Sequence, residues 1–312
     1  YVPKSETQPY FALAEQFAFA DRMFQTNQGP SFPAHQFIFG GTSAPTSGSD
    51  LLASENPFYG DVAHNNCDAP ANTLVKMIDP NGNETTSLPP CFERTTLGDL
   101  LDLHHLSWKY YTPSIGGLWV GPDAISHIRN GADWPKVVLP QTQILTDISS
   151  GSLASVSWVI PTGKASDHPL STDGSGPAWV ASIVNAVGQS PYWNNTAIII
   201  TWDDWGGWFD HDSPQILNSY ELGFRVPMVI VSPYAKPAYV SHQQHEFGSI
   251  LHYIEDNWGL GTLGYTDARA DDLADCFNYS QAPIPFTPIA AAHTASYFKA
   301  MPASNMPVDD DF

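Results

Sequence analysis

Ile198-Ile-Ile-Thr-Trp-Asp-Asp-Trp-Gly-Gly-Trp-Phe-Asp-His211 begins as a run of β-branched apolar residues, the pattern of a strand buried on both faces. The run breaks off at Asp203 and Asp204, passes two glycines, and ends on Asp210 and His211. In open α/β sheets, ligand-binding and catalytic groups collect just beyond the carboxyl ends of strands. Two adjacent carboxylates there repel each other unless a cation or a proton neutralises them. Gly206 and Gly207 permit a tight turn or a close approach of backbone to a ligand. A solvated acidic loop after a strand is the alternative reading.

The neighbouring stretches extend this strand into a sheet. Ser155-Val-Ser-Trp-Val-Ile160 reads as a second buried strand, and His168 lies past its end as Asp203 lies past its own. Between them, Pro177 to Ser190 carries Val180, Ile183, Val184 and Val187 on one helical face. A strand–helix–strand unit implies parallel strands, and Arg225-Val-Pro-Met-Val-Ile-Val-Ser232 supplies another. The expected class is therefore α/β, a mostly parallel central sheet flanked by helices. Upstream, Tyr10 to Phe24 has an apolar spacing close to that of a helix, broken by Asn27-Gln-Gly-Pro30. Pro33 suits the first turn of a new helix, which places Ser31 at or beside its N-terminus. There Ser31 is either an ordinary capping serine or a hydroxyl in a setting that favours an anion. Thr95 to His105 reads as a capped helix, Ser107-Trp-Lys-Tyr-Tyr111 as an aromatic strand, and Glu246 to Asn257 as an amphipathic helix. Residues 1–312 are expected to form one domain, with a loop-rich insertion over 41–94 and an extended C-terminal tail over 278–312.

Composition narrows the function classes. Of the 312 residues, 42% are hydrophobic and 12% aromatic, too rich in both for a disordered chain. Twelve Lys and Arg against 32 Asp and Glu give a formal net charge of -20. That balance argues against nucleic acid as a partner and against anionic membranes. With no run of about 18 apolar residues, stable membrane insertion is not expected. Cys67 and Cys91 flank a polar segment with little core of its own. A Cys67–Cys91 bridge at its base is expected over free thiols, with Cys276 unpaired and buried. Few lysines and a bridge point to an exported protein, extracellular or periplasmic. With no signal peptide visible, the chain is read as a mature form or a fragment.

Gly29-Pro-Ser-Phe-Pro33, Ser107 to Tyr111, Val156 to Pro161, Asp167-His-Pro169, Thr201 to His211 and Gly223-Phe-Arg-Val-Pro-Met228 occur in this order. Together they resemble the phosphoesterase family of bacterial phospholipases C and acid phosphatases, in the alkaline-phosphatase-like superfamily of α/β folds. The resemblance implies Ser31 as nucleophile and Asp203 as a metal-binding carboxylate. Asp204 stands where many relatives have Glu, and His168 and His211 match histidines around the phosphate. It implies a secreted, metal-dependent phosphoric ester hydrolase working through a phosphoserine on Ser31. The cofactor implied is a divalent metal held by Asp203, Asp204 and Ser31. Oxygen ligands suit Ca, Mg or Mn, and a histidine ligand moves the balance towards Zn or Fe. Substrates are a phosphate ester or a phospholipid; a lipase needs an exposed apolar rim. Oligomeric state is left open.

One departure qualifies this. Relatives carry a Glu-Asn pair near the N-terminus that completes the metal site, and nothing before Tyr1 supplies it. Glu55-Asn56 has the right residues but follows Ser31 in a loop-like tract, and is read as a coincidence. The alternative function is a catalytically inactive relative, an extracellular binding or structural protein. Ser31, Asp203, His168 and His211 together favour the enzyme, because a scaffold needs no such set.

Overall fold

The computed structural model describes Lys4 and residues 7–59, 64–169 and 172–302. Its strands are β1 Ala18–Ala20, β2 Leu52–Ala53, β3 Val75–Ile78, β4 Thr86–Leu88, β5 Trp108–Tyr111, β6 Val137–Val138, β7 Val156–Val159, β8 Ile198–Thr201, β9 Met228–Val231 and β10 Tyr239–Ser241. Its helices are α1 Gln8–Gln16, α2 Ser31–Gly40, α3 Leu97–Leu103, α4 Ser126–Arg129, α5 Gln143–Ser150, α6 Gly176–Gly188, α7 Phe247–Trp258 and α8 Ala295–Ala300.

The strands form three ladders. One runs β10-β1-β9-β8, with β1 parallel to β10 and β9 antiparallel to both its neighbours. A second, β6-β5-β7, is wholly parallel. The third, β2-β3-β4, is antiparallel and lies in the 41–94 segment.

The chain is thus mixed α/β, but its ladders differ from the single, mostly parallel sheet expected. β7, α6 and β8 form where they were read, yet β7 and β8 belong to different ladders. β8 pairs instead with β9, in the antiparallel sense. Parallel neighbours require a crossover, usually a helix; residues 202–227 contain no helix, so the chain returns alongside β8 in the opposite direction. β8 is also an edge strand, and only Ile200 in it is buried, whereas all of β9 is buried. The expected helix over 10–24 is corrected too. α1 stops at Gln16, and Ala18-Phe-Ala20 becomes an inner strand. A short apolar run fits either state, and the ladder partners on both sides decide it.

Two apolar clusters fill the interior, and α2 lies between them. Ala34 and Phe37 face the cluster built on α1, α6 and the four-stranded ladder. Phe32 and Phe39 face the one built on α3, β5, β7 and the 41–94 segment. Nine of the ten residues of α2 are buried, the signature of a helix enclosed on every side. Its first residue is therefore held in place by both halves of the core.

Cys67 and Cys91 are disulfide-bonded, and Cys276 is free and buried, as expected. The bridge spans 24 residues of sequence and closes the β3–β4 hairpin. The chain-entropy relation for such a loop gives about 3 kcal/mol. Replacing both cysteines by alanine should lower the unfolding free energy by about that amount, read from urea titrations fitted with each protein's own slope, since the uncrosslinked unfolded chain exposes more surface. A loss under about 1 kcal/mol would count against an entropic role for the bridge.

Beyond Phe277 the described chain is extended until α8. It is stapled down by Phe286 on Trp193, Phe298 on Trp179 and paired hydrogen bonds between Asn185 and Ile289. Residues 303–312 of the expected tail lie outside the described residues.

Candidate active site

The polar centre is built where α2 begins. Pro30, in extended conformation, precedes the helix, and no side chain at that cap position bonds the first turn. The Phe32 N–H instead donates to Asn56 Oδ1 at 3.0 Å. Ser31 is inside the helix and does not cap it; its hydroxyl points to Asp204 Oδ2 at 3.5 Å. Its residue exposure is 1%, so the hydroxyl is set by packing rather than by solvent.

Beyond Thr201, the last residue of β8, the two carboxylates diverge. Asp204 Oδ1 accepts the Gly206 N–H at 2.6 Å, leaving Oδ2 on the Ser31 side. Gly206 and Gly207 both take left-handed backbone angles, φ 64 and 73, which glycine adopts without strain. Buried Gln25 fixes the turn by accepting the Trp205 N–H at 3.0 Å. Asp203 turns inward. Its Oδ2 lies 3.5 Å from His35 Nε2 and is a buried oxygen with no hydrogen-bond partner among the described residues. Burial pushes the Asp203 carboxyl up, but the His35 ring and the Ser31 hydroxyl outweigh it and hold it below the usual carboxylate range.

His168 is placed by the segment after β7. Asp167 has φ 64 and accepts the Tyr10 hydroxyl at 2.7 Å, and Ser166 Oγ accepts the His168 N–H. His168 Nδ1 lies 2.8 Å from the Pro169 carbonyl. A carbonyl only accepts, so Nδ1 carries a proton and Nε2 is the nitrogen that can exchange one. A cavity of about 280 Å³ is lined by Gly29, Pro30, Glu55, His168, Asp204 and the Trp205–Gly207 turn, among others.

The structure therefore brings Ser31, Asp203 and Asp204 together and sets His168 on the same cavity as Asp204. His211 is not among the residues lining that cavity. It is exposed, with its ring edge-on to Phe209 at 5.2 Å. The loop around it is tied elsewhere, by a two-pronged Asp210–Arg225 pair at 2.8 and 2.6 Å and an Asp212–Arg225 contact at 3.0 Å.

Three residues of this centre were missed. His35 is one helical turn after Ser31, and the i,i+4 spacing on α2 was the available signal. Glu55 and Asn56, read as coincidental, adjoin the site: Glu55 lines the cavity and Asn56 caps the helix that carries Ser31.

The donor set suits a divalent cation. A buried carboxylate oxygen without a partner is costly unless something positive meets it, and Asp203 Oδ2 is such an atom beside a second carboxylate and a hydroxyl. Among the described residues, the group of three His, Cys or acidic side chains whose ligand-type atoms lie within 4.8 Å of one another is a different one, His245, Asp275 and Cys276. There, however, the Ser241 hydroxyl bonds both Asp275 and His245, and Asp271 takes the other ring nitrogen, so internal bonds already engage the polar groups.

A family model described as the Phosphoesterase family matches residues 1–261. The chain is 24% identical to the non-hemolytic phospholipase C of Pseudomonas aeruginosa, over 93% of this chain and 45% of that protein. It is 22% identical to the non-specific phospholipase C6 of Arabidopsis thaliana, over 90% of this chain and 53% of that one. The chain thus spans about half the length of these relatives. Among solved structures, a protein in the alkaline phosphatase superfamily from Vibrio parahaemolyticus matches at a TM-score of 0.45 and 11% identity, over 83% of this chain and 63% of the other.

Proposed function

We infer the chemistry from one premise: the chain belongs to the Phosphoesterase family. We propose that it is a metal-dependent phosphoric ester hydrolase whose nucleophile is Ser31. The observation that carries this is a serine released from helix capping and aimed at one of two strand-end carboxylates, while the other presents a buried unpartnered oxygen. We also read the β6-β5-β7 ladder as the core of the alkaline-phosphatase-like sheet.

Asp203, Asp204 and Ser31 would hold the metal, with Glu55 on the same cavity as a further carboxylate. Bound there, a divalent cation supplies positive charge that lowers the serine pKa and offsets charge on the phosphoryl oxygens. Ser31 Oγ attacks phosphorus in line with the leaving oxygen, and its proton passes to Asp204 Oδ2. The N-terminus of α2 favours the anion formed. His168 Nε2 protonates the leaving oxygen, then takes a proton from the water that cleaves the phosphoserine, while Asp204 returns its proton to the released Ser31 Oγ. His211 stands outside these steps, its position suited to orienting the loop.

The substrate we favour is a phospholipid. Trp208 and Phe209 are 60% and 85% exposed and directly follow the Trp205–Gly207 turn that lines the cavity. An aromatic pair at the mouth of a site is the rim a lipid surface requires. The net charge of -20 selects a zwitterionic surface over an anionic one. The disulfide supports an exported protein, and no helix among the described residues is long and apolar enough to cross a membrane. Trp208→Ala with Phe209→Ala should cut hydrolysis of phosphatidylcholine vesicles at least about tenfold, the effect of losing one or two buried aromatic side chains. Hydrolysis of p-nitrophenyl phosphate should stay within about twofold. Equal loss on both substrates would instead place these aromatics in the chemistry, and no loss on vesicles would remove the lipid reading.

A further inference from the structure

Gln25 is fully buried, and both ends of its amide are committed. Oε1 accepts the Trp205 N–H at 3.0 Å. Nε2 donates to the Asn27 carbonyl at 2.8 Å and to the Gly29 carbonyl at 3.3 Å. All three partners are backbone groups, and they permit one orientation of the amide. An ionised carboxylate could meet only the first of them, and an ammonium only the other two. The stem is held as firmly as the head. The Gln25 N–H donates to the Phe224 carbonyl at 2.9 Å, and the Gln25 carbonyl accepts the Gly223 N–H at 3.0 Å. A Cβ at Gly223 would lie 2.8 Å from Gln25 Cγ and 2.4 Å from the Asn27 oxygen, so glycine there leaves room for both.

These bonds join the two halves of the site. Gly29 lies two residues before Ser31, and Trp205 directly follows Asp204. Asn27 Nδ2 also donates to the Gly29 carbonyl, at 2.7 Å, but that bond stitches the loop to itself. Gln25 carries it across to the carboxylate turn. Ser31 Oγ and Asp204 Oδ2, one from each half, are 3.5 Å apart, too far for their own contact to hold the halves in place.

We propose that Gln25 is a positioning residue for phosphoryl transfer, its amide setting the approach of Ser31 to Asp204. The inference rests on Ser31 as nucleophile and Asp204 as the acceptor of its proton. The side chain touches neither, and acts by fixing the backbone on which each is carried.

Steady-state hydrolysis of p-nitrophenyl phosphate with added divalent cation tests this on the wild type, Gln25→Met and Gln25→Glu. Each is followed from about pH 5 to about pH 10, with folding checked by circular dichroism. Gln25→Met keeps the length of the side chain and removes the amide. Its kcat should fall about a hundredfold with KM within about threefold, the cost of a misplacement of about 1 Å. In Gln25→Glu the protonated carboxyl still donates to the Asn27 carbonyl and accepts the Trp205 N–H, whereas the ionised form sets a negative oxygen against a carbonyl. Its kcat relative to wild type should therefore stay within about fivefold in acid. The ratio should fall at least about tenfold further as the introduced carboxyl ionises. A residue that only fills space would give a ratio flat across pH. Such a flat ratio, or a Gln25→Met kcat within about twofold of wild type, would overturn the assignment. If one variant does not fold, the other decides. A wild type that turns over no ester would instead overturn the hydrolase reading, and this inference with it.

Discussion

Ser31→Ala should lose phosphoester hydrolysis by at least about a thousandfold, the scale on which removal of a nucleophile is felt, while the fold survives. The two expectations come from the same geometry. The serine hydroxyl is not needed by α2, because Asn56 satisfies the first-turn N–H of Phe32. Its removal takes away the contact to Asp204, the hydroxyl's small support of the Asp203 carboxylate, and a few atoms from a site whose neighbours Phe32 and Ala34 anchor the helix in both cores. The thermal midpoint should move by no more than about 2 °C, as a change of a few tenths of a kcal/mol implies for a chain of this size. Rapid-quench experiments should find a phosphorylated wild type and an unlabelled mutant. A Ser31→Ala protein that retains more than about a tenth of the wild-type rate would rule out the phosphoserine route.

Asp203→Asn is expected to act almost as severely on activity, by a different route. The substitution keeps the shape and removes the charge from the inward carboxylate. Charge is what a cation site uses, and removing it should cost at least about a hundredfold in metal affinity and a comparable factor in rate. Stability of the metal-free chain should fall modestly at neutral pH, because His35 and Ser31 favour the charged carboxylate, holding its pKa below the usual range, and the amide forgoes that interaction. Dialysis against chelator should reproduce the mutant's activity in the wild type, and added metal should restore only the latter. An Asp203→Asn chain that binds metal normally would move the cation elsewhere, with the Glu55–Asp204 side of the cavity the first place to look.

The strand-end carboxylates could be read in the sequence because they combine local signals: an apolar run that stops abruptly, adjacent charges, and glycines. Ser31 could be placed for similar reasons, with Pro33 and the preceding break marking the helix start. What could not be read depends on partners distant in the chain. β9 carries the composition of a buried strand whichever way it runs, so the antiparallel β8–β9 pairing follows from a helix-free connection rather than from either strand. Asn56 reaches Phe32 from 24 residues away, through a tract whose composition says only that it is loop-like. His35 is a different kind of omission. Its spacing from Ser31 was visible, but the carboxylate it faces comes from another element, and only folding joins them. His211 shows the converse, since membership of a dense motif does not put a side chain on the cavity that its neighbours line.

The single hydrogen bond from Phe32 to Asn56 joins two parts of the chain with very different freedom to vary. One is a helix packed on every side; the other is the loop-like tract just before the disulfide-closed hairpin. Because the insertion supplies the cap, it cannot be exchanged between relatives as an inert decoration. A grafted segment lacking an equivalent amide would leave the nucleophile's helix uncapped at its first turn, and the loss would register first as slackness in the angle of attack. The loop that carries Asn56 is thereby under the same constraint as the helix it caps, and the two have to vary together.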